Sequence, residues 1–386
     1  MFRAIALTLR ARLRRSRSAS AAARSLNYKV GTAAFFLNAA ATPPLSGGEL
    51  PAFNLDTTAL KNEVNVAQLK WLNRSGPVLG LVLVCLIFGF LVGPQFFSTG
   101  NLELIARQTA IVAVAAIGMT VVIASAGIDL SVGSVVSLST VIIALFLRSG
   151  VPPFAAVAGA VAAGVLCGAI VGLLVTRLRL LPFIVTLGMM LVARGAAKGL
   201  ADEQRVEAPV TWINELLRSP SSARSWLVLP AGVWAIIALS LMTAAMLGYT
   251  RFGRHIFAIG SNERTARLCG VPVEACKLAV YSIGAGFAGL AGVMEFSKLS
   301  VGDPTVAVGL ELDVIAAVII GGGSLLGGRG SVFGTLIGAT IMAVIQLGSS
   351  QRGLPNWVQQ IVTGIIIILA VALDHWRQRG HNNSRS

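Results

Sequence analysis

From Pro77 onward the chain alternates long apolar runs with short polar breaks, and several runs approach or exceed the roughly 18 to 20 residues a helix needs to cross hydrocarbon. In lipid every backbone polar group must find its partner inside the protein, which makes helices the natural form of such runs. The pattern predicts spans at about 77–97, 102–125, 130–148, 154–176, 180–200, 227–248, 278–297, 309–323, 330–349 and 355–373. The eighth is short and ends in Gly321, Gly322 and Gly323, as a broken or re-entrant helix would. The expected fold is an all-α polytopic membrane protein of about ten transmembrane helices, filling residues 76–380 and followed by a tail over 381–386.

Composition supports lipid as the solvent. Of the 386 residues 55% are hydrophobic and 12% charged, against about 25% charged in a soluble domain. The net charge of +15 is segregated into the N-terminus and into breaks between apolar runs, which reads as membrane orientation and not as nucleic-acid binding. With a basic N-terminus inside, the inside loops receive Arg177 and Arg179, then Arg251, Arg254, Arg264, Arg267 and Lys277, then Arg329, and finally Arg377 and Arg379. The opposite loop, Ala201 to Trp226, balances Arg205, Arg218 and Arg224 with Asp202, Glu203, Glu207 and Glu215. Both termini are therefore expected in the cytoplasm. Residues 1–75 differ from the rest, with Arg10, Arg12, Arg14, Arg15 and Arg17 among Ser and Ala and no acid before Glu49. Three readings stand for this extension: a transit-peptide-like segment, a disordered basic tail, or translation from an upstream start.

Catalytic chemistry is sparse. Cys85, Cys167, Cys269 and Cys276 form no C-x-x-C pair, and His255, His375 and His381 fall in loops or tail, so neither a zinc nor a Ser-His site is expected. No metal or cofactor is implied. The glycine-dense stretch around Ser324 lacks the Gly-Lys step of the G-x-x-x-x-G-K-[ST] loop that grips ATP, so any ATP-driven work needs a partner. A secondary transporter or channel is the alternative, but few acids fall within the spans, and Asp129 lies between the second and third.

The longest polar break in the second half, about 249–277, carries a well-punctuated short helix. Asn262 suits the N-cap, Glu263 the positive dipole end, Arg267 the negative end, Gly270 a left-handed stop, and Pro272 blocks continuation. About two turns are marginal alone, so packing must hold this helix. Its sequence, AIGSNERTARLCGVPV from Ala258, resembles the cytoplasmic coupling loop of ribose-type permease subunits of bacterial ATP-binding-cassette importers. The same family is resembled by VAAIGMTVVIASAGIDLSVGSVVSLS from Val114, PFIVTLGMMLVARG from Pro182 and GLELDVIAAVIIGGGSLLGGRGSVFGTLIGA from Gly309, in order. The resemblance implies a ten-helix permease of the bacterial inner membrane that forms a homodimer, docks ATPase subunits and receives a monosaccharide from a periplasmic binding protein. It places the ATPase-coupling helix at Gly260, Asn262, Glu263, Arg264, Ala266, Arg267 and Gly270. Two departures are evident: residues 1–75 have no counterpart, and GLADEQRVEAPVTWINELL from Gly199 is more acidic than the family pattern.

Candidate path residues are Asp129, Ser131, Gly133, Glu311 and Asp313. An ionisable residue within the membrane is a functional candidate by default, yet Asp129 could equally cap the third span by accepting from the amides of Ser131 or Val132. Glu311 and Asp313 either suit a helix N-terminus or meet sugar hydroxyls or a docked binding protein. Gly127, Gly133 and Gly188 are expected to let backbones approach at a dimer interface. A loose echo between residues from Gly168 and from Gly338 hints at hairpins of opposite direction, an arrangement common in transporters.

Overall fold

A computed structural model describes residues 76–218 and 229–383 of the chain. The basic extension over 1–75, part of the loop before Trp226, and residues 384–386 of the tail lie outside the described residues. Twelve α-helices are described: α1 Gly76–Val92, α2 Thr99–Ala124, α3 Val132–Arg148, α4 Pro153–Arg177, α5 Pro182–Leu200, α6 Ala231–Tyr249, α7 Arg251–Ser261, α8 Glu263–Leu268, α9 Val273–Leu299, α10 Leu310–Ile320, α11 Val332–Gln351 and α12 Asn356–Asn383. Among them α2, α4, α5, α6, α9 and α11 are long and apolar enough to cross a membrane. The remaining expected spans fall on α1, α3, α10 and the apolar part of α12, which are too short to count by length alone.

Two helices form the centre. Every residue of α2 from Ala110 to Ala124 is buried, so α2 is covered on all sides. Against it lies α9, which contributes Gly284 opposite Gly118: a β carbon at Gly118 would stand 2.8 Å from the Gly284 carbonyl oxygen. Small residues here bring backbones close enough for dispersion to replace the hydrophobic drive that lipid does not supply. By contrast α4 buries one stripe, Ala156, Ala160, Gly164, Gly168, Val171 and Val175, whose spacing of three or four residues marks a single helix face. That stripe packs on α9, with Gly168 against the Tyr281 backbone, and the rest of α4 is left to face outward.

The central helices run in opposite directions and end alike. The last turn of α2 meets the segment carrying Gly260, whereas α9 starts from that same end at Val273 and runs away. Each then turns through a left-handed residue, Ala126 (φ 62) after α2 and Ser300 (φ 61) after α9. Three residues on comes an aspartate, Asp129 or Asp303, and two further a hydroxyl, Ser131 or Thr305. Both aspartates accept in the same way through Oδ1, from the amide two residues on at 2.8 Å and from its hydroxyl at 2.6 Å. A short helix follows each turn, α3 or α10. The two central helices thus end in matching turns that run in opposite directions.

At 11 residues α10 is about 16 Å long, roughly half the hydrocarbon thickness, so it is a half-helix. The segment before it lies along α3. Gly302 packs on Thr140, Val141 and Ala144, the Asp303 amide donates to Thr140 Oγ1, and the Ala307 carbonyl reaches Gly133. Irregular backbone at such depth is tolerated because protein surrounds it. One feature departs from an all-α reading: the two-residue strands β1 Val206–Glu207 and β2 Val301–Gly302 pair antiparallel at the end away from Gly260.

Candidate functional site

The break at 249–277 is more structured than its sequence suggests. It holds two helices, α7 and α8, and α9 begins inside it at Val273. Thr250 caps α7 by accepting from the Gly253 amide at 3.1 Å. Asn262, the hinge between the two helices, accepts from the Thr265 amide at 2.9 Å and so caps α8. Gly270 takes φ 82 and stops the chain, with the Val271 amide reaching back to Ala266. Only Ala266 of α8 is buried, among Ile259, Val273 and Cys276. Lys277 Nζ holds Glu263 at 2.6 Å, while Arg267 spans Glu263 and Glu274 at 3.5 Å each. Partial burial acts to raise the Glu263 pKa, but Lys277 and then Arg267 outweigh it and hold the carboxyl below its usual range. The outer face presents Arg264 and an apolar knob, Leu268, 88% exposed.

Gly260 belongs to α7 and not to the short helix itself. A β carbon there would fall on the Ala124 carbonyl and against the Gly328 amide, and Gly328 N–H donates to that same carbonyl at 3.0 Å. Gly327 packs on Ala126. The end of α7, the turn after α2 and the glycine loop before α11 thus close on one another through backbone. A displacement of α8 has a stiff route from Asn262 through Gly260 to the turn that carries Asp129.

Asp129 is 1% exposed and is not the N-cap of α3. Ser131 holds that position, makes no side-chain cap, and gives its hydroxyl and amide to Asp129. The aspartate closes its own turn because the acceptor lies two residues ahead of the donor, an Asx turn that competes with capping. Its second oxygen has no partner among the described residues. Tyr281 of α9 and Cys167 of α4 lie within electrostatic reach.

Glu311 and Asp313, two residues apart in the first turn of α10, point to different neighbours. The Glu311 carboxylate lies against Gly133 and is within electrostatic reach of Arg194. Asp313 accepts from Gln346 Nε2, and Gln346 Oε1 accepts from Gln108 at 3.2 Å. Gln108 Oε1 in turn accepts from Lys298 at 3.2 Å. Asp313 therefore ties α10 to α11, α2 and α9. The structure brings Gly133 and Glu311 together and separates Asp313 from them.

Two glycines expected at a dimer interface are committed within the chain. Gly127 packs on the Tyr281 hydroxyl and Gly133 on Ala307, whereas Gly188 on α5 has nothing near it. The sequence reading also missed Arg194. Its guanidinium donates to the carbonyls of Pro304 (3.1 Å) and Val306 (2.6 Å), pinning the segment ahead of α10. A lone arginine late in an apolar run was the available signal. Among the described residues no group of three or more His, Cys, Asp or Glu is arranged to hold a metal ion.

Six helices long and apolar enough to cross a membrane, a half-helix beside them and a helical arm linked by backbone contacts to a buried turn fit a membrane transport subunit. Residues 101–371 match the family described as branched-chain amino acid transport system / permease component, and the chain belongs to that family. It is 39% identical over 308 residues to the ribose import permease protein of Escherichia coli (strain K12), covering 80% of this chain and 95% of that protein. It is 36% identical to the fructose import permease protein of Rhizobium meliloti, covering 78% and 84%, and 33% identical to the L-arabinose ABC transporter permease protein of Azospirillum brasilense, covering 80% and 89%. No solved structure matches the chain.

Proposed function

We propose that this permease is the membrane-spanning subunit of an ATP-driven importer that carries a monosaccharide, a pentose, hexose or related polyol, delivered by a periplasmic binding protein. The relatives named for ribose, fructose and arabinose import support the sugar, since each is matched over more than four fifths of its length. ATP hydrolysis falls to a separate subunit. The Lys and Arg distribution puts the 249–277 arm and both termini in the cytoplasm, and α8 is the site where the ATPase pushes. The observation that carries this role is a six-residue helix, capped at both ends and buried only at Ala266, that offers Arg264 and Leu268 outward. The subunit works as a homodimer in the lipid bilayer, with the uncontacted Gly188, Gly195 and Gly199 of α5 supporting close approach of a second copy.

The test is co-reconstitution with an ATPase subunit and a periplasmic binding protein of the same kind of importer, scoring ATP-dependent uptake of labelled ribose, fructose and arabinose. Uptake driven by an ion gradient without ATP would replace this reading with a secondary transporter. In the same assay Glu263→Lys, which sets like charges against Lys277 and Arg267, should lower recovery of the ATPase complex and uncouple uptake while the subunit still inserts.

A further inference from the structure

A cavity of about 330 Å³ opens between the starts of α3 and α10 and the second half of α5. Ser134 and Glu311 line it from the starts of α3 and α10, with Arg194 and Lys198 of α5, Thr305 and the apolar Leu191 and Val308 also on the wall. Ser134 is 1% exposed, and its hydroxyl has no hydrogen-bond partner among the described residues. A buried hydroxyl without a partner costs about 1–3 kcal/mol, so a site that keeps one has a use for it. Glu311 brings a carboxylate acceptor to the same wall from the first turn of α10.

We propose that Ser134 and Glu311 form a transit subsite for the hydroxyl groups of a neutral monosaccharide, midway along the path. This rests on the importer reading above. The carboxylate accepts from sugar hydroxyls, the serine both donates and accepts, and Leu191 and Val308 face the C–H side of the ring. Arg194 is a positioning residue: its Nη1 is spent on Pro304 and Val306, which sets the depth of Glu311 through the intervening segment. Few polar groups on an apolar wall suit a solute that must leave as readily as it enters.

The experiment uses the reconstituted complex and labelled D-ribose, D-fructose and L-arabinose, with L-leucine as the amino-acid arm. Uptake per ATP hydrolysed is compared for the parent, Ser134→Ala and Glu311→Gln, after equal recovery of assembled complex is verified. Ser134→Ala is the sharper variant, because a hydroxyl with no protein partner has no structural bond to lose. At least a fivefold fall in sugar carried per ATP is expected from each variant, with Arg194→Lys intermediate. Parent-like ratios in Ser134→Ala and Glu311→Gln would overturn the subsite while leaving the importer intact. A parent that carries leucine and none of the sugars would overturn the monosaccharide reading and the subsite with it.

Discussion

Asp129 and Asp303 sit in turns that match residue for residue, yet their second oxygens meet different surroundings. Asp303 Oδ2 accepts from Arg205 Nε at 2.8 Å, and that arginine, 74% exposed, reaches in from the loop that β1 pins to β2. Asp129 Oδ2 is buried, meets no donor among the described residues, and lies within electrostatic reach of Tyr281. The shared half of the device is local, set by a hydroxyl two residues after the aspartate. The differing half depends on which distant element arrives. One turn is closed by an arginine that is itself largely exposed, and the other leaves a carboxylate oxygen buried without a donor among the described residues.

That contrast can be broken first at Gly260. Replacing it with Val puts side-chain atoms onto the Ala124 carbonyl and the Gly328 amide, neither of which can step aside. The loss should reach or exceed the upper end of the roughly 1–3 kcal/mol typical of overpacking, read as a lower midpoint of thermal unfolding in detergent. Gly188→Val, with nothing nearby, serves as the control and should leave the isolated subunit unchanged. Equal midpoints would show that the junction is loose.

Next in size is the aspartate itself. Asp129→Ala leaves the Ser131 amide and hydroxyl unsatisfied in a dry site, at a cost of about 1–3 kcal/mol, while Asp129→Asn keeps an acceptor and should be close to the parent in stability. Uptake separates the roles: a purely structural Asp129 predicts normal transport by Asp129→Asn. Impaired transport in a stable Asn variant would assign the charge to the path.

The smallest effect belongs to Arg205→Ala. An ion pair with one exposed partner contributes about 0.2–1 kcal/mol and is weakened by salt. Its removal should shift the midpoint slightly at low ionic strength and not at all at high. A shift as large as that of Asp129→Ala would show that the two turns are closed by equivalent means.

Several parts of this arrangement are legible in the chain. Expected and observed span limits agree within a few residues for α3, α4, α5 and α10, because apolar length and flanking glycine or proline act locally. The short helix at Glu263 is bounded where its capping residues place it. Other parts are not legible. The helix α7 was overlooked because its charges, Arg251, Arg254 and His255, read as loop while its buried face, Gly253, Ile256, Ile259 and Gly260, shows only against partners. For Asp129 the chain leaves a cap and a path role open, and it does not show the Asx turn, because a cap and an Asx turn both use an aspartate just ahead of a helix.

By itself the sequence determined that the protein lives in lipid, how many apolar runs it has, where its basic loops lie and which short segment is punctuated as a helix. Each of these follows from hydropathy, charge or hydrogen bonds within a few residues. Only the tertiary structure decided that Glu311 turns toward Gly133 while Asp313 turns toward Gln346, and that Ser134, with no hydroxyl partner among the described residues, shares a cavity wall with Glu311 and Arg194. Side chains two apart on one helix face different sides, and what each meets there is set by helices brought close from far along the chain.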